Sequence, residues 1–402
     1  MIGRLHRQVW QRLPYDLRRS LLFRTTSLMA PRARTDAPAV APIVVAGALR
    51  AASGLGRSAR LCLDALQMGG ADVAALDLTV PLRQPVTIAP SETPEAAPGP
   101  GTLILHVNAP LTGMALLAIG RRRLRGKRII GYWAWELPEV PDEWRLGVGL
   151  VHEIWVPSAF TAAAIRPIAG DRPVHVVPHP VLVDPAPPGP GRRERAPFTV
   201  LCMFDAASSI ARKNPEGAIA AFRRAFGEDR SALLLLKTQR LDTVPEERAR
   251  LAALADAPNI RLLDATLDAR GMDALYGKAD VVISLHRAEG FGLSLAEAMR
   301  RGLPVIATDW SGSVDFVSRE VGIPIPFRLV PAEDSQRTYH HPSMSWAEPD
   351  VDAAAAALRV LREDPALRAR LGAAGADYAA SHWDARAYCA RLRELGLLVA
   401  RR

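Results

Sequence analysis

Leu285-His-Arg-Ala-Glu289-Gly-Phe-Gly-Leu-Ser-Leu-Ala-Glu297-Ala-Met299 is the passage on which the reading of this chain turns. The apolar run Val281–Leu285 reads as a buried strand ending in polar residues and a glycine loop, with a helix starting near Ser294. That order makes an anion site: the backbone N–H groups of Gly290, Phe291, Gly292 and Leu293, with the positive end of the helix, suit a diphosphate. Glu289, at the strand's end, is within reach of a ligand's hydroxyls. Glu297 lies about one turn into the helix, where its carboxylate can accept a pair of hydrogen bonds from a ribose. The plainer alternative, two surface glutamates at a helix start, leaves the grouping of glycines, an aromatic and two acids unaccounted for.

A diphosphate also needs positive charge. The segment Phe204-Asp-Ala-Ala-Ser-Ser-Ile-Ala-Arg212-Lys213-Asn214-Pro215 follows another apolar run, Phe198–Phe204, and precedes a helical pattern from Pro215 to Phe226. Asn214 is the expected cap and Pro215 the first-turn residue, which places Arg212 and Lys213 where strand ends face a ligand. The other reading of this pair is a solvated helix cap.

Outward from these motifs the chain alternates short apolar runs with helical patterns from about Pro42 onward, the mark of a parallel α/β architecture. The first series runs through Pro42–Ala46, Leu103–Val107, Arg128–Trp133, Glu153–Pro157 and Val174–Val177. The second runs through Phe198–Phe204, Leu233–Leu236, Ile260–Leu263, Val281–Leu285 and Pro304–Ala307. Between them lies Asp184-Pro-Ala-Pro-Pro-Gly-Pro-Gly-Arg-Arg193, which can continue neither sheet nor helix and reads as a linker. Segments 81–101 and 328–349 read as irregular, and alanine-rich helices close the chain from about Val351. The expected division is a basic amphipathic arm over 1–39, a Rossmann-like domain over 40–183 and a linker over 184–196. A second Rossmann-like domain follows over 197–375, and then a C-terminal helix over 376–402 packing back toward the first domain. Two such units imply a central cleft at the carboxyl ends of their strands.

The glycine loop of the first unit is ambiguous. Gly54-Leu-Gly56-Arg-Ser-Ala59 matches a dinucleotide fingerprint, with Asp77 near the expected distance downstream, so an NAD site is one reading. The long approach from Ala46 argues against it. The alternatives are that Gly54 and Gly56 let the backbone approach a donor or acceptor, or that they only turn the chain.

The passage 285–316, which ends in Pro304-Val-Ile-Ala-Thr-Asp-Trp-Ser-Gly-Ser-Val-Asp-Phe316, resembles the signature of glycosyltransferase family 4. The pair Glu289 and Glu297 is its most specific element. Phe204-Asp205, Arg212-Lys213-Asn214-Pro215, Trp346-Ala-Glu-Pro-Asp350, Tyr132-Trp-Ala-Trp-Glu-Leu137 and Glu153-Ile-Trp-Val-Pro-Ser158 resemble further segments of that family. The resemblance covers roughly residues 40–395 and implies the GT-B fold, α/β with two Rossmann-like domains facing a central cleft. It implies a retaining, metal-independent transfer of a hexose from a nucleotide-diphosphate sugar, with no cofactor, through a front-face mechanism. In that picture Glu289 contacts the donor sugar, Glu297 the ribose, and Arg212 and Lys213 the departing diphosphate. These two are adjacent here, whereas the family spaces its arginine and lysine by several residues. The family's histidine near the anomeric centre matches His106 in Leu105-His-Val-Asn108, whose other reading is a structural histidine. Asn108 and Glu136, at neighbouring strand ends, are candidate sugar or acceptor contacts.

The 51 Lys and Arg against 42 Asp and Glu give a formal charge of +9, unevenly placed. Residues 1–35 carry Arg4, Arg7, Arg12, Arg18, Arg19, Arg24, Arg32 and Arg34 against Asp16, interleaved with Trp10, Leu13, Leu17, Leu21 and Phe23. A second cluster spans Arg121 to Arg128. Basic amphipathic segments suit an anionic membrane surface, and a solvated arm is the alternative. No aromatic–basic module points to nucleic acid. No apolar run is long enough to span a bilayer, and the scattered cysteines Cys62, Cys202 and Cys389 fit a reducing compartment. The expected location is cytoplasmic, peripheral on the inner face of the membrane. The expected acceptor is a glycan or a lipid-linked saccharide, and the donor leans to GDP-mannose. Two rival classes are an NAD-dependent nucleotide-sugar oxidoreductase or epimerase, and a non-catalytic glycan-binding protein on the same fold. The first leaves the Glu289–Glu297 pair unused; the second requires lost catalytic groups, and none is missing.

Overall fold

A computed structural model of the chain describes residues 14–33, 41–90, 92–184, 197–339 and 341–398. The proline-rich linker beyond Asp184 and the arm's residues 1–13 and 34–39 lie outside the described residues.

Apolar runs with little alternation are what strands covered by helices on both faces require, and they form two parallel sheets. The first holds β1 (Ile43–Gly47), β2 (Val73–Asp77), β3 (Gly101–His106), β4 (Lys127–Tyr132), β5 (Glu153–Val156) and β6 (Val174–Val176), in the order β2-β1-β3-β4-β5-β6. The second holds β7 (Phe198–Met203), β8 (Ala232–Thr238), β9 (Ile260–Asp264), β10 (Val281–Ser284), β11 (Val305–Thr308) and β12 (Ile323–Ile325), in the order β12-β11-β10-β7-β8-β9. In each sheet the order reverses once, between β1 and β3 and between β7 and β10. At such a switch point the connections leave in opposite directions and open a crevice beyond the strand ends. The glycine-rich loop after β1, His106 at the end of β3, Phe204 after β7 and Glu289 after β10 all lie at these crevices.

Each domain has its own apolar core. Val44, Leu103, Leu105 and Trp133 sit at the centre of the first, and Val200, Leu234, Ile283 and Phe222 at the centre of the second. The helix Pro215–Phe226 opens on Pro215, and the side chain of its cap, Asn214, accepts a hydrogen bond from Gly217 N, as its sequence anticipates.

The segment read as irregular at 328–349 is instead an antiparallel hairpin of β13 (Phe327–Ala332) and β14 (His341–Pro349). Its support is tertiary: Trp346 is buried, Ala347 N donates to Arg287 O at 2.9 Å, and Arg287 pairs with Glu348 at 2.7 Å. At the C-terminus, Pro365–His382 packs on Leu293–Arg300 in the second domain. Ala385–Glu394 then packs on Gly54–Met68 in the first, where Tyr388 Oη donates to Cys62 Sγ at 3.2 Å. All three cysteines are buried and free. Among the described residues no helix is long and apolar enough to cross a membrane.

Candidate active site

The two sets of strand ends enclose a cleft of about 1230 Å³. Among the residues marked out by sequence, Gly54, His106, Asn108, Glu136, Arg212, Lys213, Glu289, Gly290, Phe291, Gly292, Leu293 and Glu297 line it. Gly56 does not. It is buried beneath the loop, and a Cβ there would come within 2.5 Å of Ala51 O and 2.6 Å of Ala48 O, so its role is close packing of the helix start. Asp77 is also absent from the cleft wall, and its carboxylate instead accepts from Thr79 N at 3.0 Å. The NAD reading loses the acid it needs.

On the second domain's wall the charged groups lock together. Lys213 Nζ forms an ion pair with Glu289 Oε1, and Arg212 Nη1 lies 3.5 Å from Glu289 Oε2. Arg212 is 1% exposed, and its two Nη atoms donate to Ala288 O at 2.7 Å and to Ser208 O and Oγ at 3.1 and 2.9 Å, while its buried Nε has no partner in the protein. It buttresses the strand end, while Lys213 is the more open of the two cations toward the cleft. Burial works to raise the Glu289 carboxyl, but Lys213, then Arg212 and His286, outweigh it and hold it at about 2 against an ordinary 4.5. A carboxyl held lower in the folded chain than in the unfolded one contributes stability that is complete above the unfolded value. It is lost as the pH falls through the folded value. Urea unfolding should therefore show wild-type stability declining between pH 4.5 and about 2 more steeply than that of Glu289→Gln. Parallel declines would mean that the ion pair contributes nothing to the fold.

Deeper along the same wall, Tyr276 Oη donates to Glu297 Oε2 at 3.2 Å. Arg57, from the first domain, reaches across to Glu297 Oε1 at 3.2 Å. The carboxylate suited to a ribose thus already holds polar partners from both domains.

On the first domain's wall, Asn108 Oδ1 accepts from Ala134 N at 2.9 Å, tying the exits of β3 and β4 together. Glu136 Oε2 accepts from Tyr339 Oη at 2.7 Å, so the hairpin reaches over the cleft. His106 is 1% exposed and stacks on Tyr132 with ring centroids 4.5 Å apart. His179 stands beside them and meets the edge of Phe291 from the opposing glycine loop at 5.1 Å. Sequence reading missed Arg57, His179, Tyr276 and Tyr339. Only His179 left a trace, in Val177-Pro-His-Pro180 directly after β6.

Two parallel α/β domains that bring a glycine loop, paired acids and clustered cations to one cleft have the arrangement of the GT-B fold. The family model for family 4 glycosyltransferases in conflict systems matches residues 157–388, over half the chain, and the chain belongs to that family. Solved structures agree on the fold. Sucrose-phosphate synthase from Thermosynechococcus elongatus is 17% identical with a TM-score of 0.62, over 88% of this chain and 98% of that one. Anabaena HepE, solved with UDP and glucose, is 15% identical with a TM-score of 0.60, over 89% and 99%. Staphylococcus aureus TarM, in a complex with UDP, is 12% identical with a TM-score of 0.56, over 73% of this chain and 55% of that one. The chain thus spans little more than half of TarM, and 56% of a pneumococcal O-GlcNAc transferase that it also matches. No curated protein matches it in sequence.

Proposed function

We propose that this protein transfers a hexose, with retention and without a metal ion, from a nucleoside-diphosphate sugar to a hydroxyl of a glycan or lipid-linked acceptor. The observation that carries the reading is the Lys213–Glu289–Arg212 cluster beside the N–H groups of Gly290 to Leu293, facing His106 and Glu136 across one cleft. Lys213 and the glycine loop bind the diphosphate and stabilise the charge that develops on it as it leaves. Glu297 and Tyr276 take the ribose, with Arg57 giving way. Both oxygens of Glu289 are engaged by cations, which suits it to orienting the sugar rather than attacking it. Retention then follows a front-face course. The bond from the anomeric carbon to the β-phosphate oxygen breaks, the acceptor oxygen bonds to that carbon on the same face, and the acceptor's proton passes to the departing phosphate.

The test is calorimetry of the full chain with UDP, GDP, ADP and NAD, with and without EDTA. Selective binding of one diphosphate, unchanged by EDTA, is expected. UDP heads the panel because HepE and TarM were solved with it, and GDP follows from the sequence reading. Binding of NAD alone would sink the proposal, and binding abolished by EDTA would remove its metal-independent part.

The acceptor side includes a surface. On the helix Tyr15–Met29, Leu17, Leu21 and Leu28 are exposed alongside Arg24, as are Arg121, Arg122 and Arg125. Apolar side chains set among arginines suit an anionic lipid headgroup layer. Changing Leu17, Leu21 and Leu28 together to serine should release the protein from phosphatidylglycerol vesicles. Unchanged co-sedimentation would refute a membrane role for this helix.

A further inference from the structure

Four side chains stand in file at the first domain's wall of the cleft: Tyr132, His179, Ser58 and His106, none more than 6% exposed. Tyr132 Oη lies 2.7 Å from Val177 O and 3.1 Å from His179 Nδ1. Ser58 Oγ lies 3.2 Å from His179 Nδ1 and 2.8 Å from His106 Nδ1. Each hydroxyl has one proton, and a neutral imidazole has one N–H, so the direction of every bond in the file can be worked out.

A carbonyl cannot donate, so the Tyr132 proton goes to Val177 O. Facing His179, the Tyr132 oxygen is left only to accept, which requires the proton of His179 to be on Nδ1. That N–H points at both Tyr132 and Ser58, so Ser58 accepts from it as well. The Ser58 proton must then go to His106, whose Nδ1 is therefore bare. Both rings are neutral: burial, and then His179, hold His106 well below its ordinary value, and burial pushes His179 down to about 3. A neutral ring with a bare Nδ1 carries its proton on Nε2. The Nε2 of His106 is buried and has no partner in the protein.

We infer that Tyr132, His179 and Ser58 form a one-way hydrogen-bond relay that fixes His106 as the Nε2–H tautomer, making it a hydrogen-bond donor to a hydroxyl of the bound sugar rather than a base. The same relay leaves His179 with a bare Nε2, an acceptor in the same cleft. Tyr132, His179 and Ser58 are positioning residues, and their effect on the reaction passes through the His106 ring. The role assigned to His106 rests on the proposed transfer, whereas the tautomer does not.

The experiment is long-range proton–nitrogen correlation NMR of the ¹⁵N-labelled full chain at neutral pH, with the His106 signals assigned by their loss in His106→Gln. The expected pattern for His106 is a pyridine-type Nδ1 with a pyrrole-type Nε2, and the reverse for His179. In Ser58→Ala, His106 should become a mixture of tautomers, and kcat/KM should fall about tenfold, the worth of one hydrogen bond. Ser58→Thr should restore both. His106→Gln, whose amide can still donate, should retain more transfer than His106→Ala. A pyrrole-type Nδ1 on His106 in the wild type overturns the relay even if neither Ser58 variant folds. Equal loss in the Gln and Ala variants overturns the donor role. The expected tautomers in a protein that binds no nucleoside diphosphate would leave the relay standing and remove the proposed function instead.

Discussion

Lys213→Ala should lower the rate of sugar transfer by about 10²- to 10³-fold, the usual result of removing one preorganised group aimed at developing negative charge. The position of Lys213 is built by the backbone on either side. Ser209 and Asn214 both take positive φ, 63° and 49°, and bracket the single turn Ile210–Lys213. Asn214 Nδ2 donates to Leu285 O at 2.9 Å, fastening that turn to the end of the strand that leads into the glycine loop. The ammonium is therefore held at the cleft wall, paired with Glu289, the residue that precedes Gly290. Removing it leaves Glu289 buried with only Arg212 at 3.5 Å, a guanidinium already engaged by Ala288 and Ser208. Calorimetry should show a weakened nucleoside diphosphate and an unchanged nucleoside, because Glu297 and Tyr276 lie outside the lost pair. A folded variant with undiminished diphosphate affinity would shift the phosphate site toward Lys237, a buried lysine that also lines the cleft.

The parts of the site that sequence makes legible are those built within one strand–loop–helix unit. Glu289, the loop Gly290–Leu293 and Glu297 belong to a single such unit, so spacing alone brings them together, and the same holds for Arg212, Lys213 and the capped helix at Pro215. What spacing cannot convey is contact between units. Arg57 meets Glu297 across 240 positions of sequence, and Tyr339 meets Glu136 across 203. Both depend on how the two domains sit. The hairpin escaped notice because Pro331 and the polar run Glu333-Asp-Ser-Gln336 break any strand pattern. Residues 334–339 of its loop are held by one buried carboxylate: Asp334 accepts from Ser209 Oγ at 2.9 Å, Thr338 N at 3.0 Å and Tyr339 N at 2.9 Å. An aspartate in a polar stretch ordinarily signals a solvated turn, and only tertiary burial makes it a structural centre. Gly56 shows the opposite failure. It has the right spacing for a phosphate contact, but its lack of a side chain serves the packing of its own loop.

Gly312→Ala should be nearly as damaging to function as the loss of Lys213, though Gly312 carries no chemistry. Gly312 N donates to Glu289 O at 2.8 Å, and Ser311 Oγ accepts from Glu289 N at 2.8 Å, so the turn Ser311–Asp315 grips both sides of the Glu289 backbone. At that range there is no room for a methyl group. A Cβ on Gly312 would overlap the Gly290 carbonyl, lying 2.5 Å from its carbon. The atoms in the way are backbone and cannot be cleared by a rotamer change, so either the turn or the glycine loop must move. Overpacking of this kind costs about 1–3 kcal/mol, which should appear as a lower unfolding temperature. The larger consequence is geometric. A shift of about 1 Å in a positioning element can cost about 10²-fold in rate, and the displaced groups here are the Gly290 backbone and the Glu289 carboxylate together. Initial rates, diphosphate affinity and thermal unfolding on the same preparation separate the outcomes. A fall in all three is expected. A variant that keeps wild-type diphosphate affinity and turnover would show that the Gly290 loop does not hold the phosphates, whatever happens to its unfolding temperature.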